Sequence, residues 1–173
     1  MKREEPSNIV IDSFQELKQR IFDVNSFQVT EPEPEKESQA YDACRFEINQ
    51  LKVVYRSAKI TPTKIGQFVT LWKRISNGPI QPYDCEDHID LVLINAQAGH
   101  NLGQFVFPKS VLLEKGIFST GTKEGKRGFR VYPPWDRATS PQATRTQTWQ
   151  LPYFLSNSEP IDINRMKMLY LQV

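Results

Sequence analysis

The sequence predicts an α+β fold: a mostly antiparallel, strongly curved sheet or half-open barrel, with helices capping its ends. Three observations lead there. About six short β-branched and aromatic runs recur between residues 43 and 132. Three or four helical patterns accompany them, interleaved too irregularly for a doubly wound parallel sheet. Glycine, proline and asparagine turns separate the runs at short intervals, as hairpins of a curved antiparallel sheet require.

Each element has its own warrant. Ser13-Phe14-Gln15-Glu16 has the spacing of a capping box, and Phe14, Leu17, Ile21 and Val24 share one face of a helix over residues 12–24. Residues 30–38, Thr-Glu-Pro-Glu-Pro-Glu-Lys-Glu-Ser, combine prolines with like charges and predict an exposed loop or linker. Residues 43–48 and 51–56 predict a hairpin that turns at Asn49-Gln50. Residues 68–73 form a further strand, which Asn77-Gly78-Pro79 ends. Strands at 91–95 and 104–107 flank a turn over 99–103. Residues 110–115 suit a short helix that Gly116 stops. Residues 129–132 read as a strand, and Ser140-Pro141 as the cap and first turn of a helix to about Trp149. Residues 163–171 fit either element, and no internal repeat is present. The expected organisation is a helix plus acidic Pro/Glu linker over 1–40 and one domain over 41–173.

Composition narrows the partners. No apolar run of about 18 residues is present, so no membrane span is expected. Met-Lys-Arg-Glu-Glu-Pro lacks the apolar core of a secretory signal, and Cys44 and Cys85 have no metal-type spacing. A reduced, cytoplasmic protein is the expectation; one disulfide is allowed but not implied. The net charge of +2 hides an asymmetry. Residues 1–50 carry six Lys and Arg against eleven Asp and Glu, and residues 51–173 carry sixteen against nine. The second part has the sign a polyanionic partner requires, although a solvated basic surface, or one docked on the acidic segment, has the same composition.

Residues 123–137 are the most informative stretch. They set Lys123, Lys126, Arg127, Arg130 and Arg137 among Phe129, Tyr132 and Trp135, and Gly125 and Gly128 bracket the first arginine. Cations attract phosphate, flat aromatics offer stacking surface, and glycines let backbone N–H groups approach an anion. The plain alternative is a hairpin with arginines on its wet face.

Four segments resemble the signatures of the MepB family: Lys59-Ile60-Thr61-Pro62-Thr63-Lys64-Ile65-Gly66-Gln67-Phe68 with its continuation to Arg74, Gly103-Gln104-Phe105-Val106-Phe107-Pro108-Lys109-Ser110, Gly125-Lys126-Arg127-Gly128-Phe129-Arg130-Val131-Tyr132-Pro133, and residues 142–154 with Thr146-Gln147 and Trp149-Gln150. The resemblance runs from about Ala43 to Leu155. It implies a bacterial protein without an assigned activity, encoded in one setting beside a multidrug efflux pump. It also implies a fold similar to the DNA-binding pseudobarrel of plant transcription factors and restriction-enzyme effector domains. Fold alone does not fix function. The expectation that follows is a double-stranded DNA-binding module whose contacts are Lys64, Lys73, Arg74, Lys109, Lys126, Arg127, Arg130 and Arg145, with Trp72 and Trp135 nearby. Strand aromatics such as Trp72 and Phe68 are more often core than contact.

Two other classes compete. Asp84-Cys85-Glu86-Asp87-His88-Ile89-Asp90 has the residue types of a divalent-metal site, but also those of a solvated turn. A nuclease of the restriction type needs an acid on one strand, then an acid, a spacer and a lysine on the next. Asp90 supplies the first; Gln104-Phe105-Val106 lacks the lysine, and Lys109 lies too far along. No nucleophile elbow or Walker loop is present. No catalytic residue, metal or cofactor is therefore expected, and the balance favours a binding module over an enzyme. The third class is a ligand-binding or protein-binding barrel in which Trp72, Phe105, Phe107, Tyr132, Trp135 and Trp149 line an apolar pocket.

Overall fold

A computed structural model describes residues 8–172. In chain order its elements are α1 (Asn8–Leu17), extended by a π-helical turn (Lys18–Asp23), then β1 (Glu33–Pro34), β2 (Cys44–Ile48), β3 (Leu51–Ser57), β4 (Lys59–Thr61), β5 (Lys64–Thr70), β6 (Lys73–Arg74), β7 (Ile80–Gln81), β8 (Leu91–Ala98), β9 (Asn101–Pro108), α2 (Lys109–Glu114), β10 (Gly128–Val131), α3 (Pro141–Gln150), β11 (Phe154–Ser156) and α4 (Ile163–Leu171).

Six strands form one sheet in the order β1-β2-β3-β8-β9-β11. Its pairs are antiparallel except β3 with β8, which is parallel. β10, β5 and β4 form a second, antiparallel sheet, and β6 pairs with β7 alone. The fold is therefore α+β with mixed sheets. The strand pairing closes no barrel among the described residues, so the expected half-open barrel does not emerge from it.

Side chains along β3, β8 and β9 alternate between two apolar faces. Val53, Tyr55, Leu91, Leu93 and Val106 join Phe14, Leu17, Ile21, Met166 and Tyr170 in one core. Val54, Val92, Ile94, Phe105 and Phe107 join Val69, Leu71, Leu112, Phe129 and Val131 in the other. The large sheet thus sits between a helical layer (α1 and α4) and a layer made of the small sheet, α2 and α3. Burial on both faces explains why Leu91-Val92-Leu93-Ile94 and Phe105-Val106-Phe107 are unbroken apolar runs.

Several elements depart from expectation. Ser13 does not cap the first helix but lies within α1, where its hydroxyl accepts from Tyr55 at 3.1 Å. The π-helical turn changes the pitch, so Phe22 enters the core while Val24 is 72% exposed. The 59–65 stretch is a hairpin, β4–β5, and the predicted 68–73 strand divides into the end of β5 and the separate β6. The acidic stretch lies over the surface but pairs as an edge strand, Glu33 opposite Arg45 and Pro34 opposite Cys44. Residues 163–171 resolve to a helix, α4, capped by Asp162 Oδ1 accepting from the Arg165 N–H at 2.9 Å. The turn at Asn49-Gln50 is as expected, with φ of 47° and 73°, the two-residue hairpin geometry matched to strand twist.

No described helix is long and apolar enough to cross a membrane. Both cysteines are free. Burial pushes the Cys44 thiol up to about 12, whereas Cys85 is exposed. An alkylating thiol reagent should therefore label Cys85 alone in the native protein and both cysteines after denaturation, as mass spectrometry would count. Native labelling of Cys44 would show that the sheet opens on that side.

Candidate functional site

The β4–β5 hairpin, β10, α3 and the segment after α2 surround an open cleft of about 700 Å³. Lys64, Lys115, Lys126 and Arg130 line it, and among the described residues no carboxylate does. Between the cations stand Trp149, Tyr132 and Phe129, with the hydroxyls of Thr63, Thr139, Ser140 and Thr146.

Local sequence places each group. Gly125 lies against the backbone of 117–119, and its N–H donates to Ser119 Oγ at 2.8 Å. The Lys126 N–H donates to the Ile117 carbonyl at 2.9 Å, and the Arg127 carbonyl accepts from the Leu71 N–H at 2.9 Å. The main chain is therefore pinned on both sides of the exposed Lys126 side chain. Arg130 donates from Nη2 to Thr61 Oγ1 at 2.8 Å and from Nη1 to the Gly66 carbonyl at 3.4 Å, and its guanidinium stands 5.9 Å from the Phe68 ring centroid. It braces the hairpin. Gly66 has φ of +82°, and a side chain there would come within 2.7 Å of the Tyr132 ring; the glycine lets Tyr132 lie on the hairpin backbone.

The helix bordering the cleft is fixed as firmly. Ser140 caps α3 by accepting from the Ala143 N–H at 3.1 Å. Gln150 is fully buried; its Oε1 accepts from the Tyr132 N–H at 2.8 Å and its Nε2 donates to the Arg130 carbonyl at 2.9 Å. Gln150 thus serves β10 as an extra strand would, satisfying main-chain groups at its outer edge. Gln147 Nε2 reaches the Pro133 carbonyl at 3.0 Å and the Asp136 carbonyl at 2.8 Å. Trp149 packs 5.5 Å from Phe107, with Lys115 Nζ 5.9 Å from its ring centroid. Sequence reasoning omitted Lys115 and the polar rim. The signal for the α3 contribution was the Gln147/Gln150 spacing behind a clear cap.

The eight expected contact residues do not form one patch. Lys64, Lys126 and Arg130 meet in the cleft, and Arg145 is exposed on α3, at the flank of the face that lines it. Lys64 and Lys126 make no ion pair among the described residues. Arg127 turns aside, donating to the Ile80 carbonyl at 3.2 Å and pairing with Glu124 at 2.8 Å. Lys73 lies between Asp84 and Asp87, at 2.7 and 2.6 Å. Arg74 pairs with Glu37 at 2.7 Å, and Lys109 donates to the carbonyls of Cys85 and Asp87 at 2.7 and 2.5 Å. These three cations hold the protein together.

The aromatics also redistribute. Trp72 and Phe68 belong to neither core; each carries an arginine, Arg74 and Arg130 respectively. Trp135 packs on Phe154, 5.6 Å away, within the second core's margin.

The acidic turn is an internal scaffold. Asp87 Oδ2 accepts from the Asp84 N–H at 2.7 Å, and Asp90 Oδ2 from the Lys52 N–H at 2.7 Å. The Lys73 hydrogen bond holds the Asp84 carboxyl below its ordinary value. Among the described residues, no three His, Cys, Asp or Glu side chains converge as metal ligands would.

A family model described as MepB-like matches residues 35–156. A comparison with curated proteins gives no significant match. Among solved structures the chain is similar to the crystal structure of MepB, at 38% identity and a TM-score of 0.75, covering 85% of this chain and 97% of that one. A bacterial homing endonuclease, I-Ssp6803I, matches at 17% identity and a TM-score of 0.47, over 84% of this chain and 91% of that one. That similarity is too low to carry any inference.

Proposed function

We propose that this chain, which belongs to the MepB-like family, binds nucleic acid along the cleft between the β4–β5 hairpin and α3, with double-stranded DNA as the ligand. The observation that carries the reading is the lining, which among the described residues has four cations, no carboxylate, and a half-buried tryptophan among hydroxyls. Lys64 and Lys126 are the phosphate contacts, since neither makes an ion pair among the described residues. Lys115 has a neighbouring partner in Glu114, and Arg130 gives part of its guanidinium to the hairpin. Arg145 extends the positive surface along α3. Contacts of this kind position a backbone without reading sequence, so affinity should fall steeply with salt.

The cleft's size favours a second reading, since about 700 Å³ is also the volume of a small-molecule site. Its charge selects an anion such as a mononucleotide and repels a cation.

The test is fluorescence anisotropy with labelled duplex between about 50 and 200 mM salt. Lys64→Ala/Lys126→Ala should lower the salt slope by about 0.9 for each lost phosphate contact. A slope unchanged in the double variant removes the cleft assignment, and wild-type protein without salt-dependent binding removes the nucleic-acid reading. Displacement of duplex by low concentrations of a mononucleotide would favour the second reading.

A further inference from the structure

We propose that the β4–β5 hairpin is an apolar wedge that enters the base stack of DNA held along the cleft. The proposal rests on the cleft being a nucleic-acid site. Two β-branched aliphatics flank the hairpin turn in solvent: Ile60 is 64% exposed and Ile65 43%. Neither belongs to either core. The fold gains little from them there, and Pro62 and Thr63 between them are exposed as well. Insertion between bases would bury the isoleucines, as apolar wedges of Ile, Leu, Met or Pro do in DNA-bending proteins.

A wedge must be stiff, and this hairpin is braced beside its turn, at Thr61 and at Gly66. Arg130 holds Thr61 and the Gly66 carbonyl, and the Tyr132 ring lies on Gly66. A register shift between Ile60 and Thr61 sets the tip off from the regular ladder. Charge names the occupant. Lys59 and Lys64 flank the isoleucines and make no ion pair among the described residues, and Ile65 itself lines the carboxylate-free cleft. A cationic rim around an apolar tip suits a polyanion with a stacked apolar interior, which is a description of a DNA duplex.

The test uses the full chain and short duplexes that each carry 2-aminopurine at a different step. Binding by wild type should raise the fluorescence at one or more steps, because unstacking relieves quenching. Ile60→Ser/Ile65→Ser should lose that rise while keeping the wild-type salt slope; both positions are exposed, and a thermal melt confirms the fold. Salt-dependent binding by wild type with no rise at any step overturns the wedge and leaves the cleft reading intact. A rise that persists in the double variant overturns it too, as does sedimentation showing a dimer without DNA that the double variant loses, which would assign the isoleucines to self-association. No salt-dependent binding by wild type removes both the wedge and the cleft reading.

Discussion

Glu35→Ala is expected to destabilise the protein by about 3–5 kcal/mol, because it leaves a buried cation without its counter-charge. Arg56 is wholly inaccessible to solvent, and its Nη2 lies 2.6 Å from Glu35 Oε2, close as an ion pair though off-line for a hydrogen bond. Glu35 is itself mostly buried, and its other oxygen accepts from Arg45 Nε at 2.5 Å. Without the carboxylate, the Arg56 guanidinium keeps one hydrogen bond, from Nη1 to the Tyr55 carbonyl at 2.8 Å. The prediction has a built-in control. A buried pair is often replaceable by apolar groups at little net cost, so Glu35→Ala/Arg56→Met should recover most of the loss. Urea denaturation of the two single variants and the double variant measures this. A Glu35→Ala penalty near that of an exposed ion pair, below about 1 kcal/mol, would show that the acidic strand does not anchor the sheet.

That pair also shows where sequence reasoning ran out. Residues 30–38 read as solvated because prolines and like charges give no reason to pack, and most of them are on the surface. What fixes the segment is its pairing with β2 together with carboxylates that meet distant arginines, Glu35 on Arg56 and Glu37 on Arg74, and no local spacing announces contacts 21 and 37 residues away. The central strands were legible for the opposite reason: burial on both faces writes itself as an apolar run, at 91–95 and 104–107 alike. The helix start failed because a capping-box spacing, Ser13 to Glu16, is necessary for the motif but common by chance within a helix already under way at Asn8. Strands β4 and β7 were missed because two or three residues carry no period.

The candidate site was half legible on similar grounds. Composition revealed the basic excess, and the Gly-Lys-Arg-Gly turn marked a shaped loop. Sequence cannot tell a free cation from an engaged one. Lys73, Arg74 and Lys109 look no different from Lys64 and Lys126 until the carboxylates and carbonyls around the first three are seen. Trp72 and Phe68 looked like core for want of the arginines that cover them.

Gly125→Ala should weaken the fold and the cleft together. A methyl group there would collide with the Ile117 carbonyl oxygen and come within 2.7 Å of the Phe118 carbonyl carbon and of the Ser119 nitrogen. All three obstacles are backbone, so no rotamer change relieves them, and the loop itself must move. Moving it endangers two hydrogen bonds, Gly125 N–H to Ser119 Oγ and Lys126 N–H to the Ile117 carbonyl. At about 1 kcal/mol each, added to about 1–3 kcal/mol of overpacking strain, the expected loss is about 3–5 kcal/mol. Gly121, in the same loop, has nothing within 4 Å of an added methyl, so Gly121→Ala should stay within about 0.5 kcal/mol of wild type. The functional consequence separates this loop from an inert one. Where the Gly125→Ala protein is still folded, Lys126 no longer has its pinned main chain, and the salt slope of duplex binding should fall by about 0.9, as if that lysine had been removed. Thermal melts and anisotropy titrations of the two glycine variants decide it. A Gly125→Ala protein as stable as Gly121→Ala would mean the 117–119 backbone yields, and a folded one with a wild-type salt slope would mean that the glycine does not set the position of Lys126.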